Sequence, residues 1–238
     1  AVPAAHAISL DRSDPWVQAA NRLAELDPIA SSGGMAERVV NIKSKHSELV
    51  AQRVLRLFLR GATEGTRYLD DKQHPSKPNL TATSMEVTVN RLAVFLGDVE
   101  AAMGPESFVD QDSIHLSVPG WRAMAILAHD LLYRLKLPPD RAAEYAQKIG
   151  AYDWSRYNPA WLQVGKPEIP KGETEPITDD QGRVRVRLGG ERHAGIAIAE
   201  ILREAVGLDI ELALQAEGPK LPSIADVLPP ESGADATA

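Results

Sequence analysis

Cysteine is absent from the 238 residues, which excludes disulfides and thiolate metal sites and is compatible with a reducing compartment. Aromatic residues make up only 5%, so any segment that gathers them stands out. No apolar run approaches the roughly 18 residues that a bilayer-spanning helix needs, and no charged-then-apolar leader opens the chain. Bulk positive charge is missing as well. A formal charge of −7 excludes a protein that coats polyanions through its overall charge, so any contact with nucleic acid has to come from a local patch. A soluble, cytoplasmic protein is expected. The opening AVPAAHAISLDRSDPW starts at Ala1 rather than Met, and reads as if cut from something longer.

A local patch is present. Between Arg38 and Arg67 stand Arg38, Lys43, Lys45, Arg53, Arg56, Arg60 and Arg67 against Glu48 and Glu64, seven minus two, an excess of +5. Ser44 and Ser47 offer N-caps to a helix expected from about Ser47 to Leu59. On it Leu49, Val50, Val54, Leu57 and Phe58 share one face and Arg53, Arg56 and Arg60 another. A solvated face laced with salt bridges is the plainer meaning of such a stripe. The shortage of nearby acids favours instead an anion, such as a DNA phosphate, held by Ser44, Lys45, Ser47 and the arginines.

The other helices follow from periodicity and caps. Asp14-Pro15 starts one that runs to about Leu26. Thr83 with Glu86 forms a capping box for a helix ending before Gly104-Pro105, with Met85 and Met103 as core filling. Ser117 caps a helix to about Leu135, and Pro138-Pro139-Asp140 opens another that Gly150 terminates. Helices at 84–103, 118–135 and 140–149 thus form a consecutive, bundle-like unit. Short extended pieces are expected at 6–11 and 37–42, and an exposed loop at 68–79. Arg183-Val-Arg-Val-Arg-Leu188 alternates strictly and reads as a strand with Arg183, Arg185 and Arg187 on one face. That face is either simply solvated or a second phosphate contact. A last helix spans Glu191 to Val206, with Ala194, Ile198, Ile201, Leu202 and Ala205 inward. The expected fold is α+β, mostly α, with consecutive helices forming a bundle-like core and a small β element near the C-terminal end. A single domain over 1–215 is followed by a disordered acidic, proline-rich tail at 216–238.

The rare aromatics gather in Ile149-Gly-Ala-Tyr-Asp-Trp-Ser-Arg-Tyr-Asn-Pro-Ala-Trp161. A miniature core under a loop is the plainer interpretation; Arg156 facing nucleic acid is the sharper one. Six scattered histidines offer no metal-ligand spacing, and no nucleophile elbow, phosphate-cradling glycine loop or dinucleotide fingerprint occurs. Neither a metal nor a cofactor is expected, and the chain alone is expected to be non-catalytic.

In order, SLDRSDPW, VVNIKSKHSELVAQRVLRLF, DSIHLSVPGWRAMAIL and IGAYDWSRYNPAW resemble the C-terminal part of the DGQHR-domain family, in particular its DNA sulfur modification (DndB) branch, over roughly residues 6–210. The resemblance implies a bacterial DNA-binding regulatory or accessory protein of a DNA phosphorothioation system, with double-stranded DNA as partner. Other phosphorothioation proteins and a second copy of the chain are further candidate partners. It places Ser44, Lys45 and Ser47 on the family's serine-lysine run, and Asp153, Trp154, Ser155, Arg156, Asn158 and Trp161 on its aromatic segment. The Asp-Gly-Gln-His-Arg signature itself is absent. A nucleotide hydrolase or nuclease whose catalytic residues lie upstream, or a docking scaffold, is therefore the alternative.

Overall fold

The computed structural model describes residues 14–37, 47–66, 82–189 and 191–210. Its first helix, α1 (Pro15–Ala24), begins as expected: Asp14 accepts a hydrogen bond from the Trp16 amide at 2.8 Å, and proline occupies the first turn. Two residues of strand, β1 (Met35–Ala36), then pair in parallel with β2 (Val50–Ala51). Of the expected 37–42 strand only Glu37 is described, and it lies just past β1 outside any strand; residues 38–42, the 6–11 piece, the 68–79 loop and the 216–238 tail lie outside the described residues.

The pairing of β2 corrects the start of the basic helix. Leu49 and Val50 are buried because their stretch docks on Met35–Ala36, not because it is helical, so α2 runs Gln52–Glu64 instead of from Ser47. Its N-cap is Ala51, which has no side-chain oxygen to offer, and Ser47 is exposed five residues upstream. The capping box is corrected too. The long helix α3 (Ala82–Met103) already contains Thr83, and Glu86 reaches Arg22 of α1 at 3.3 Å instead of its own helix start.

A short α4 (Pro105–Phe108) and a 3-10 turn (Ile114–Leu116) lead into α5 (Val118–His129). Ser117 caps α5 by accepting from the Gly120 amide. Every residue from Trp121 to Ala128 except Arg122 is buried, as expected of a helix that is apolar nearly all round. α5 packs most extensively on α2 to one side and α7 (Glu191–Val206) to the other, while α3 pairs with α6 (Pro139–Gly150). Ala205, expected inward on α7, is exposed. α5 continues as one π-helical turn, Asp130–Arg134. Lys136 follows at φ 51°, the one non-glycine residue with positive φ among those described, at a cost of about 1 to 2 kcal/mol.

Gly150 is expected from the sequence to terminate α6 as its C-cap. It lies inside the helix, and a Cβ there would sit 2.2 Å from the Val99 carbonyl oxygen. Glycine is needed because α3 and α6 approach too closely for any side chain. Beyond the aromatic crossing, a 3-10 turn (Pro159–Gln163) precedes β3 (Gly165–Pro167), which pairs antiparallel with β4 (Val186–Leu188). The fold is therefore α+β and mostly α, with two two-stranded sheets among the described residues. None of the described helices is long and apolar enough to cross a membrane.

The aromatic crossing is a core. Trp154 and Trp161 are buried with ring centroids 5.9 Å apart, Tyr152 stands edge-on to Trp161, and Trp154 stands edge-on to the fully buried His115. His115 Nε2 donates to the Phe108 carbonyl at 2.9 Å, leaving Nδ1 to accept from the Ser113 hydroxyl at 2.6 Å; this network fixes the tautomer. Burial pulls its pKa down from 6.5 to about 4, against the opposing pull of the Phe108 carbonyl and Asp110. The unfolded chain therefore takes up this proton first. The associated stability is complete above pH 6.5 and is lost as pH falls toward 4, by about 3 kcal/mol in all. Urea unfolding at pH 7 and pH 4.5 is expected to show this loss, and His115→Gln to flatten it by about one proton. An equally steep variant would place the acid sensitivity elsewhere.

Candidate functional site

A cleft of about 280 Å³ opens where β2 turns into α2, where Ser117 begins α5, and where β4 ends. Its walls include Leu49, Val54, Leu116 and Leu188, and Arg156 and Arg187 bring charge to it. Each element arrives there for a local reason. The Gly34 carbonyl accepts from the Leu49 amide at 3.0 Å and so pins the chain just before β2. The Ile114 amide donates to the Trp154 carbonyl at 2.9 Å, which ties the start of α5 to the aromatic crossing. The Val186 amide donates to the Arg156 carbonyl at 2.9 Å, which lays β4 beside Arg156.

The cleft is electropositive. Four amides at the start of any α-helix lack an intrahelical acceptor, and those of α2 gain none from the apolar Ala51 cap. The positive end of the α2 dipole therefore faces a space lined by Ala51 and Val54. Burial, together with the neighbouring Arg185 cation, pulls the Arg156 guanidinium below its ordinary value, against the pull of Asp112, Glu168 and Asp110. Its Nε finds no acceptor among the described residues, and its Nη1 reaches only the Val186 carbonyl at 3.5 Å. Arg187 is exposed and has no carboxylate within ion-pair distance among the described residues. Guanidinium forks and the amides of a helix start both donate to oxygen, so the chemistry such an arrangement can offer is that of an oxyanion site.

The sequence-derived residues divide accordingly. Arg53 and Arg56 stand on the first two turns of α2. Neither forms an ion pair among the described residues, and burial lowers Arg56 with only partial relief from Asp14. Arg60, in contrast, bonds Glu64 at 3.0 Å. On the expected arginine strand face, Arg183 is held by Asp179 at 2.7 Å and by Asp153, and Arg185 by Asp112 and by Glu168 at 3.2 Å. Only Arg187 of the three lines the cleft. Ser47 is exposed just before Leu49, while Ser44 and Lys45 lie outside the described residues.

Sequence reasoning missed the uncapped start of α2 and the Ser117–Pro119 wall. An alanine N-cap leaves no signature, and nothing local ties residue 117 to residues 51 and 187. Among the described residues, no group of three or more histidine and carboxylate side chains is placed to hold a metal ion. Comparisons with protein-family models, with curated proteins and with solved structures find no match to this chain.

Proposed function

We propose that the chain binds the phosphate backbone of double-stranded DNA through the cleft and the adjoining face of α2. The observation that carries this reading is that Arg156 and Arg187 line the cleft at the uncapped start of α2 while Arg53 and Arg56 stand on the first two turns of that helix, all four without an ion-pair partner among the described residues. Paired arginines have spent their charge on a neighbour. Unpaired ones remain available to a polyanion, which binds them by giving up condensed counterions. Contacts of this type position a protein on the duplex without reading base sequence. In the sense implied by the resemblance to DGQHR-domain proteins, the chain serves as a DNA-binding regulatory or accessory component of a phosphorothioation system.

Anisotropy titration of a labelled 30-base-pair duplex tests the interface. The double variant Arg53→Glu with Arg56→Glu is expected to weaken binding more than tenfold, and Arg187→Glu to weaken it and flatten the salt dependence by about one phosphate contact. Arg183→Glu, which removes a guanidinium already held by Asp179, should have a smaller effect. Wild-type affinity in a double variant with an unchanged melting curve would remove this surface from consideration.

A further inference from the structure

A second cavity, of about 540 Å³, lies elsewhere in the fold, between α3, the π-helical turn and the start of α6. Its walls are largely apolar, drawn from Val94, Phe95, Leu132, Leu137 and Ala142. Val94 is 64% exposed, a large apolar side chain facing outward from the middle of a helix whose other apolar residues are mostly covered. This volume is within the range of small-molecule sites, which combine an apolar lining with a few orienting polar groups.

The orienting groups are charged and unspent. Arg91, Asp98 and Lys136 all line the cavity, and none has a hydrogen-bond or ion-pair partner among the described residues. Arg91 and Asp98 are seven residues apart on α3, about 10 Å along its axis, which keeps them from neutralising each other. Lys136 belongs at the Arg91 end by two observations. The hydroxyl of Tyr133, three residues before it, approaches Thr88 of α3 at 3.4 Å. Gly150, at the far end of α6, lies against Val99, so α6 begins near the first half of α3. The cavity therefore has a cationic end, an apolar middle and an anionic end.

Two backbone irregularities border it. Leu132 and Tyr133 come from the π-helical turn, and Lys136 holds a left-handed conformation that glycine would adopt without strain. Departures of this kind collect at ligand sites. Lys136 thus brings its ammonium group to the cavity from a strained backbone position.

We propose that this cavity binds a compact zwitterion with an apolar body, of the dimensions of an apolar tripeptide, its ammonium on Asp98 and its carboxylate on Arg91 and Lys136. Three extended residues span about 10 Å, which matches the separation of the charged ends. The site is independent of the DNA interface.

Calorimetric titration with Leu-Ala-Leu in four forms tests the assignment: free termini, N-acetylated, C-amidated and blocked at both ends. On the wild-type protein, the free peptide is expected to bind saturably, and each single block to weaken it at least tenfold. Asp98→Asn should weaken the free peptide and no longer distinguish the acetylated form. Arg91→Gln with Lys136→Gln should no longer distinguish the amidated form. No saturable binding of the free peptide, or equal binding of the doubly blocked one, overturns the proposal. Sensitivity to amidation alone does so too, because it identifies a simple apolar carboxylate. The four peptides on wild-type protein decide the matter even where a variant fails to fold.

Discussion

Trp154→Ala is expected to cost about 3 to 5 kcal/mol, the usual range for deleting a large buried aromatic. Its side chain is 3% exposed. The loss has three parts. The vacated volume borders Trp161 and His115, rings already fixed by their own hydrogen bonds, Trp161 through Nε1 to the Ser155 carbonyl at 3.0 Å, so the site collapses poorly. The Ile149 carbonyl, which accepts from Trp154 Nε1 at 2.8 Å, loses its side-chain donor at the end of α6. The ring–ring contacts vanish with the indole. Urea unfolding at pH 7 measures the total. Because the indole is enclosed, the folded fraction of the variant should bind DNA as the wild type does if Arg156 keeps its place. A loss under 1 kcal/mol accompanied by abolished DNA binding would transfer Trp154 from the core to the interface.

What could be read in the sequence, and what could not, follows from the range of the forces involved. α1, α3, α5, α6 and α7 were legible because their signals are local: Asp14-Pro15, Ser117, Pro138-Pro139 and Gly104-Pro105 act within one turn, and burial repeats with the helical period. The aromatic crossing was legible as a core because so few other aromatics compete. The start of α2 was not. A two-residue parallel ladder between Met35 and Val50 is a contact fifteen residues long in sequence, and it converts what looks like the first helical turn into strand. Gly150 has the position of a helix cap, and only the proximity of Val99 reveals that it is a packing glycine. The arginines of 183–187 looked equivalent in the alternating pattern. The difference between them is made by Asp112, seventy-three residues from Arg185, and by Asp179 in the preceding turn. The cleft was half legible: Arg53, Arg56, Arg156 and Arg187 were singled out individually, and nothing in the sequence showed that two of them share a cavity.

The same distance in sequence hid the ion pair that joins α5 to α7, and breaking it is expected to be as costly as removing Trp154. The Asp130 side chain is 3% exposed, and Arg203 reaches it through Nη2 at 2.6 Å and Nε at 2.9 Å, with Arg134 farther off at 3.8 Å. Burial raises the Asp130 carboxyl above its ordinary value, and Arg203 is the main force holding it down. Arg203→Met leaves that carboxylate enclosed with a distant partner, and one-sided removal from a buried pair costs about 3 to 5 kcal/mol. The pH dependence gives the test its sign. A raised carboxyl binds its proton more tightly folded than unfolded, so it favours folding at low pH and opposes it once both states ionise. The deficit of Arg203→Met relative to wild type should therefore be largest at pH 7 to 8 and shrink as the medium is acidified and Asp130 is protonated. Asp130→Leu with Arg203→Met should recover most of the loss, since apolar replacement of a whole buried pair is often neutral or stabilising. Urea unfolding of the two variants at pH 5 and pH 7.5 separates the cases: a single variant within 1 kcal/mol of wild type at pH 7.5, or a double variant no better than the single, means that the α5–α7 contact rests on the apolar packing of Ile198 and Leu202 instead of on this pair.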